Sequence, residues 1–462
     1  MINKNEELNE KKYNNEEIKR SSISSDTIIN NNPKIDEFLD RVGYTRFHLV
    51  SIFIVCYIFF IDGCEMILVN LILSSLEKEW KINVVQRSLL SSAVFFGFFT
   101  GSLFSGYFTN KYGRRYPSIV GAFTIWIFTS CTPLCNCFEA LFCLRIIVGL
   151  GIGIVVPACT TIITESIPSY NRSFVLNNLW TLYPLGIIYI CKISEFFIVN
   201  GQYLDWRKIS FINGYTSTTI IFMVINLKES PRHLLIKGKY EEGFEVLNAI
   251  GKYKNIQLTE NEKTMLKNEA FLLNRKMNET NNDFNIGLFF EPKFLKTSLL
   301  TGYLWLVSSF ITYGLLYMLP KLFDNLSHKK IDSLHHMIVA MSILFPCPCF
   351  RGVLSEIKFV GRKNSMMFGF LGATFTGLFL LMTTSHLSIF AGFLKFFTCI
   401  SLGVVSVYTS EIYPTNIRSI SLGLGNSITR LAGILVPFIC EIIESYIFHG
   451  AFLFFIFCSV TG

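Results

Sequence analysis

The chain has 462 residues, 51% of them hydrophobic and only 16% charged, with a formal net charge of +8. That balance excludes an ordinary soluble globular domain and belongs to a membrane-embedded chain. The basic excess forms no aromatic-interleaved patch, so no nucleic-acid partner is expected, and it reads as loops facing anionic lipid.

In chain order, residues 1–46 are rich in Asn, Lys, Glu and Ser and lack an apolar core after a basic start. A cleaved signal peptide is thereby excluded, and the segment is expected to be a disordered tail in the cytosol. Runs of at least about 18 apolar residues follow near 47–73, 88–108, 116–134, 141–161, 174–199 and 209–227. A second group lies near 297–319, 334–350, 365–382, 387–408, 420–442 and 447–462. The expected organisation is a six-helix half over 47–227, a charged cytosolic loop over 228–296, and a second half over 297–462. The fold class is then all-α, a membrane protein of twelve transmembrane helices.

Positive charge orients these spans. The loop after span 2 carries Lys111, Arg114 and Arg115, and the loop after span 8 carries Lys358, Arg362 and Lys363, which places both termini in the cytosol. Lys321, Lys329 and Lys330 on a predicted outer loop go against the rule. The same loop carries the glycosylation acceptor Asn325-Leu326-Ser327, in keeping with a plasma membrane or an intracellular vesicle membrane. The 13 cysteines sit in or beside spans at irregular spacings, including Cys131, Cys135, Cys137 and the pair Cys347 and Cys349. They read as small apolar residues, and no metal or cofactor is expected.

Two motifs occur twice. "ESIPSYNRS" begins at Glu165 and "EIYPTNIRS" at Glu411, an offset of 246 (411 − 165). Gly113-Arg114-Arg115 has a counterpart at Gly361-Arg362-Lys363, an offset of 248 (361 − 113). Two unrelated motifs repeated at nearly one offset mark a duplicated six-span unit with two pseudo-symmetric halves.

The loop "GYFTNKYGRR" after span 2 resembles the signature loop of the major facilitator superfamily. "KESPRHLLIKGKYEEGFEVL" after span 6 is similar to the Pro/Lys-Glu-Ser-Pro-Arg segment of its sugar and organic-ion branches. "FLDRVGYTRFHLVSIFIVCYIFFIDGCEMILVNLIL", "LRIIVGLGIGIVVP" and the segment from Glu411 onward resemble the synaptic-vesicle-protein-two-related carriers and their organic-ion relatives. The resemblance covers everything after the tail. It implies a secondary transporter working by alternating access, a functional monomer in the lipid bilayer, carrying a small organic solute and, in some members, protons.

Alternating access needs contacts that form in one state and break in the other. Arg114, Arg115, Glu165 and Arg172 in one half, with Arg362, Glu411 and Arg418 in the other, are the expected gate residues. The motif resemblance extends that role to Asn110, Gly113, Glu229, Arg232 and Gly361. The alternative is that they only anchor to headgroups. The chain departs from the family in having Asn110 where an Asp is usual and Lys358 at the nearest equivalent place, which is expected to weaken the latch. Span 12, about 24 Å from Ile447 to Gly462, is shorter than the roughly 30 Å hydrocarbon core, so a truncated or incompletely competent chain is also expected.

Ionisable residues inside spans are the first substrate-site candidates. Arg430 lies twelve residues after Arg418, about 18 Å along a helix and near mid-membrane. In the organic-ion relatives an Arg there goes with anions, and Asn426 lies one turn before it. Asp62 and Glu65 share a face of span 1, and Arg145 in span 4 is placed to pair with one of them, either as a proton-coupling site or as a structural ion pair. Lys192 and Glu195 read as snorkelling residues. Trp180 and Tyr183 in span 5, with Trp305, Tyr313 and Tyr317 in span 7, are expected to line the cavity and stack on a planar solute. A sugar ranks below an organic anion because no Gln falls in any predicted span. An organic cation and a non-transporting receptor or regulator complete the alternatives. No nucleotide loop or catalytic triad appears, so the chain is not expected to be an enzyme.

Overall fold

The computed structural model describes residues 34–280, 292–327, 329–356, 361–382, 386–413, 415–447 and 450–462. Within them, 10 helices are long and apolar enough to cross a membrane. In chain order they are span 1 (Arg46–Trp80), span 2 (Val84–Tyr112), span 3 (Arg115–Leu134), span 4 (Phe138–Ser166) and span 5 (Arg172–Glu195), then span 7 (Leu295–Leu326), span 8 (Lys330–Leu354), span 9 (Gly361–Met382), span 10 (Leu387–Ile412) and span 11 (Ser421–Tyr446). The helices Trp206–Ile225 and Gly450–Thr461 occupy positions 6 and 12 of the twelve-helix architecture. A hairpin, with Ile198 paired to Leu204, joins spans 5 and 6.

Several helices outrun their apolar runs. Span 1 continues through Glu77, Lys78 and Glu79 to Trp80 and stops at Lys81 in left-handed conformation. Glu and Lys are good helix formers, so polarity marks where the membrane ends and not where the helix ends. Span 2 starts on Asn83, whose side chain accepts from the Gln86 amide while Gln86 reaches back to the Asn83 amide, a capping box.

Spans 5 and 8 are each broken. Span 5 passes from the helix Arg172–Asn178 through a 3₁₀ turn, Leu179–Leu182, into Tyr183–Glu195, where Pro184 lies in the first turn. Span 8 is Lys330–Leu344 followed by Cys347–Glu356 across Pro346. Proline is tolerated in a first turn, where its missing N–H removes no helical bond. The breaks turn Trp180, Tyr183, Pro348 and Arg351 toward the middle of the molecule. Across the halves, span 2 packs on span 11 and span 5 on span 8.

Residues 34–46, expected to belong to the disordered tail, are structured. Lys34–Val42 is a helix whose Ile35, Phe38, Leu39 and Val42 are buried against Leu235, Phe244, Leu247 and Ile250. The spacing is that of one apolar helical face, and a count of polar residues hides it. Residues 1–33 of the expected tail lie outside the described residues. The central loop likewise holds the helices Pro231–Ile236, Tyr240–Gly251 and Glu260–Thr280, so the loop and the N-terminal helix share a small second core. Leu39→Ala is expected to cost this cap roughly 2–5 kcal/mol, read as faster hydrogen exchange over both 34–42 and 240–251 with the spans unaffected.

Candidate functional site

A cavity of about 440 Å³ lies between the halves. Six of the nine residues expected to bind or couple line it: Asp62, Trp180, Tyr183, Tyr313, Asn426 and Arg430. Trp305 lines it as well. Glu65, Arg145 and Tyr317 do not.

Glu65 and Arg145 face away from the cavity into the packing of the first half, both 0% exposed. Their charged atoms are 2.8 Å apart, and the Glu65 carboxylate also accepts from Thr129 at 2.8 Å and Asn213 at 2.7 Å. Arg145 donates in addition to Thr132. Spans 1, 3, 4 and 6 thus meet at one carboxylate. Such satisfaction is what keeps a buried ion pair tolerable.

Tyr317, four residues beyond Tyr313, is one turn too far along span 7 to reach the cavity. Its hydroxyl donates to Glu441 at 2.7 Å, and Lys321 donates to the same carboxylate at 2.9 Å. Arg87 of span 2 reaches Glu441 at 3.4 Å. Other ties between the halves surround this group, including Asn70 to the Leu316 carbonyl at 3.2 Å and Ser92 to the Ile434 carbonyl at 2.7 Å. The halves are therefore closed on the face away from the repeated motifs. At the other end, Ser173, Ser410 and Leu422 line the cavity, beside the motif loops.

Four ionisable side chains with charge of one sign or the other line the cavity: Asp62, Arg351, Lys395 and Arg430. Arg430 is held in place, its guanidinium carbon 3.5 Å from the centre of the Phe98 ring and one nitrogen donating to the Tyr313 hydroxyl at 2.7 Å. Arg351 donates to the Asn177 carbonyl at 3.0 Å across the halves and lies against Gly403, where a Cβ would collide with it. Lys395, 2% exposed, meets no hydrogen-bond acceptor or ion-pair partner among the described residues. Asp62, 3% exposed, makes no ion pair there either, and its Oδ1 is buried without a hydrogen bond. Lys395 and Arg351 escaped the sequence reading: Lys395 lies inside the apolar run 387–408, where a charge is itself a signal, and Arg351 falls just past the expected span 334–350.

The gate residues pair within their own halves. Gly113 ends span 2 at φ 91°, where a Cβ would strike the Glu229 carboxylate. That carboxylate accepts from the amides of Arg114 and Arg115, each at 3.0 Å, capping span 3 with both oxygens. Arg114 also pairs with Glu165 at 3.0 Å and donates to His233, while Arg115 donates to the Ile225 carbonyl at 2.9 Å. Arg172 and Arg232 both grip Asp36 of the N-terminal helix, at 3.1 and 3.2 Å. In the second half Arg362 holds Glu411 with three contacts of 2.8–3.2 Å. Gly361 adopts φ 64°, Asn110 is exposed, and the Arg418 side chain lies outside the described ones. Asp36 and His233 complete the network and were missed, the first because it sat in the presumed tail. Among the described residues, no ion pair joins the motif loop of one half to that of the other.

Burial, with the Arg114 guanidinium beside it, pushes the His233 imidazole down to about 4. It is neutral near pH 7 and accepts from Arg114. A lowered histidine pKa gives stability that is complete above the unfolded value near 6.5 and is lost as pH falls toward 4. The protection of amides over 229–236, each rate referred to intrinsic exchange at the same pH, is expected to fall as pH drops through that window, and to lose the dependence in His233→Gln.

Among known proteins, the family described as "Sugar (and other) transporter" matches residues 70–462. The synaptic vesicle 2-related protein of Xenopus laevis is 24% identical over 438 residues, covering 90% of this chain and 76% of that protein. The niacin transporter NiaP of Acinetobacter baylyi is 24% identical over 425 residues, covering 90% and 92%. Among solved structures, the proton:xylose symporter XylE bound to 6-bromo-6-deoxy-D-glucose superposes with a TM-score of 0.72 at 16% identity, over 90% of this chain and 94% of that one. At that identity the likeness concerns the fold alone.

Proposed function

The chain belongs to the sugar (and other) transporter family, in the synaptic-vesicle-2-related and organic-ion branch of the major facilitator superfamily, and from that premise we propose that this multi-pass membrane transporter carries a small organic anion. The observation that carries the reading is the charge of the cavity wall, three cations, Arg351, Lys395 and Arg430, against the single carboxylate Asp62. Such an excess favours a ligand of opposite sign. Trp180, Tyr183, Trp305 and Tyr313 supply flat apolar surface for an aromatic or other planar body. A related protein is named for niacin, an aromatic acid of this kind.

The halves close on one face and part on the other, which is one end state of alternating access. With the positively charged motif loops in the cytosol, that state is open inward and both termini are cytosolic. For the coupling ion we assign a proton, and for its site Glu65. Protonation there would remove the charge that holds Arg145 and slacken the junction of four spans. The protein acts as a monomer.

Uptake into proteoliposomes tests both statements. Labelled aromatic monocarboxylates are expected to enter saturably while matched organic cations do not, and Arg430→Ala is expected to lower uptake at least tenfold. Glu65→Gln is expected to abolish stimulation by an inward proton gradient yet keep substrate exchange across the membrane. Preference for the cations would overturn the anion reading. Undiminished gradient stimulation in Glu65→Gln would overturn the coupling site.

A further inference from the structure

We propose that Cys347 and Cys399 are a redox switch in the cavity wall, joined by a disulfide when a peroxide enters, and that the bond pins the second segment of span 8 to span 10.

All 13 cysteines are free thiols. Cys347 opens the segment Cys347–Glu356 of span 8 and is 0% exposed, its thiol donating to the Phe396 carbonyl of span 10 at 3.5 Å. Phe396 lies three residues before Cys399, less than one turn, and the two thiols are within hydrogen-bonding reach of each other. Cys399 is half-buried and lines the cavity. One thiol of the pair is therefore open to whatever enters the cavity, and the other is held behind it.

Each thiol has a cation four residues away on its own helix, Arg351 after Cys347 and Lys395 before Cys399, and both cations act on Cys399. Reactive thiols sit in such electropositive, accessible surroundings, and a second thiol poised to resolve the first is the arrangement of redox sensors. A thiolate at Cys399 would also give an anionic neighbour to Lys395, which has no ion-pair partner among the described residues.

The reaction needs a hydroperoxide as oxidant. The Cys399 thiolate attacks one peroxide oxygen, the O–O bond breaks, and a sulfenic acid forms while the departing oxygen takes up a proton. The Cys347 sulfur then attacks the sulfenic sulfur: the S–S bond forms, the S–O bond breaks, and the Cys347 proton leaves with the hydroxyl as water. The two thiols lose two electrons and the peroxide gains them. A dithiol reductant reverses the step by exchange.

The bond would act where the molecule has to move. Span 8 breaks at Pro346, and beyond the break its second segment reaches the other half. Arg351 donates to the Asn177 carbonyl at 3.0 Å, Cys349 to the Asn178 side chain at 2.9 Å, and Gly352 lies against the Phe174 ring. Those contacts must rearrange as the halves rock, and the break is a hinge that lets the segment follow. A disulfide at the segment's first residue removes that freedom by tying it to span 10.

Peptide mapping by mass spectrometry on the purified full chain tests this without any transported solute. After brief exposure to hydrogen peroxide, a peptide pair linked through Cys347 and Cys399 is expected, and dithiothreitol should release it. The mapping on the parent chain needs no variant to fold. Cys347→Ser and Cys399→Ser should each abolish the link, whereas Cys349→Ser should keep it, since that thiol faces Asn178. Hydrogen exchange over 345–356 is expected to slow roughly tenfold in the oxidised protein, to recover in dithiothreitol, and to be unmoved by peroxide in Cys399→Ser. The inference falls if both thiols stay free under peroxide, if Cys399 passes to the sulfinic acid while Cys347 stays free, or if the link forms and exchange over 345–356 does not change.

Discussion

Arg145→Ala is expected to destabilise the first half by about 3–5 kcal/mol, the cost of leaving one member of a buried ion pair without its partner. Glu65 is 0% exposed and would retain only Thr129 and Asn213 as donors. Two neutral donors cannot replace a guanidinium at 2.8 Å. Removing both charges is much less harmful, since well-packed apolar residues of similar volume often replace such a pair at little cost. Glu65→Met with Arg145→Met should therefore recover at least half the loss. Lys239 and Glu242, each 59% exposed, supply the control: Lys239→Ala should cost less than 1 kcal/mol. Unfolding midpoints in one detergent give all the values. A loss of under 1 kcal/mol in Arg145→Ala would mean that water reaches Glu65 and that the pair is not sealed.

The same pair shows what was readable beforehand. That Arg145 stands at the depth of Asp62 and Glu65 follows from helix rise and span boundaries, which are local properties. Which carboxylate it meets is decided by how four helices rotate about their axes, and one sequence does not specify rotation. The two acids at i and i+3 share a face only loosely, so a modest turn of span 1 gives Glu65 to the protein core and leaves Asp62 in the cavity. Tyr317 has the same origin. Its spacing from Tyr313 is that of one helical turn, about 5.4 Å, enough to carry it from the cavity wall into the closed face beside Glu441.

The duplicated architecture was legible because its markers, the motif loops, are short and polar and stand out against apolar spans. Their partners were legible only in part. Arg114 with Glu165 and Arg362 with Glu411 both join residues of repeated motifs. Asp36, which holds Arg172 and Arg232, lies in a segment whose polarity masks a helix packed on one apolar face. Lys395 went unnoticed for the opposite reason, since a single lysine barely changes the hydropathy of a long apolar window.

Gly153→Leu is expected to unfold the chain or cost it more than about 4 kcal/mol, a loss reserved for severe overpacking or exposed buried polarity. Spans 2 and 4 meet backbone to backbone through four glycines. A Cβ on Gly97 would meet the Ile146 carbonyl, one on Gly101 that of Leu150, one on Gly149 that of Val94 and one on Gly153 that of Phe98. Small residues four apart on both helices allow this approach, and in lipid such packing takes the place of a hydrophobic driving force. The contact bears on the site as well as the fold, because the ring of Phe98 carries the Arg430 guanidinium. Even the milder Gly153→Ala, with an overpacking cost of about 1–3 kcal/mol, should displace Phe98 and weaken binding of aromatic acids. Gly106, farther along span 2, has open space around it, with nothing within 4 Å of where a Cβ would stand. There Gly106→Ala should be neutral or stabilise by about 0.5–1 kcal/mol, through the lower entropy cost of alanine in a helix. Equal effects at Gly106 and Gly153, measured as unfolding midpoints in the same detergent, would show that helix propensity and not close approach governs span 2. A larger loss at Gly153, with binding impaired beyond the loss of folded protein, would tie the position of Arg430 to the spacing of two helices that it does not belong to.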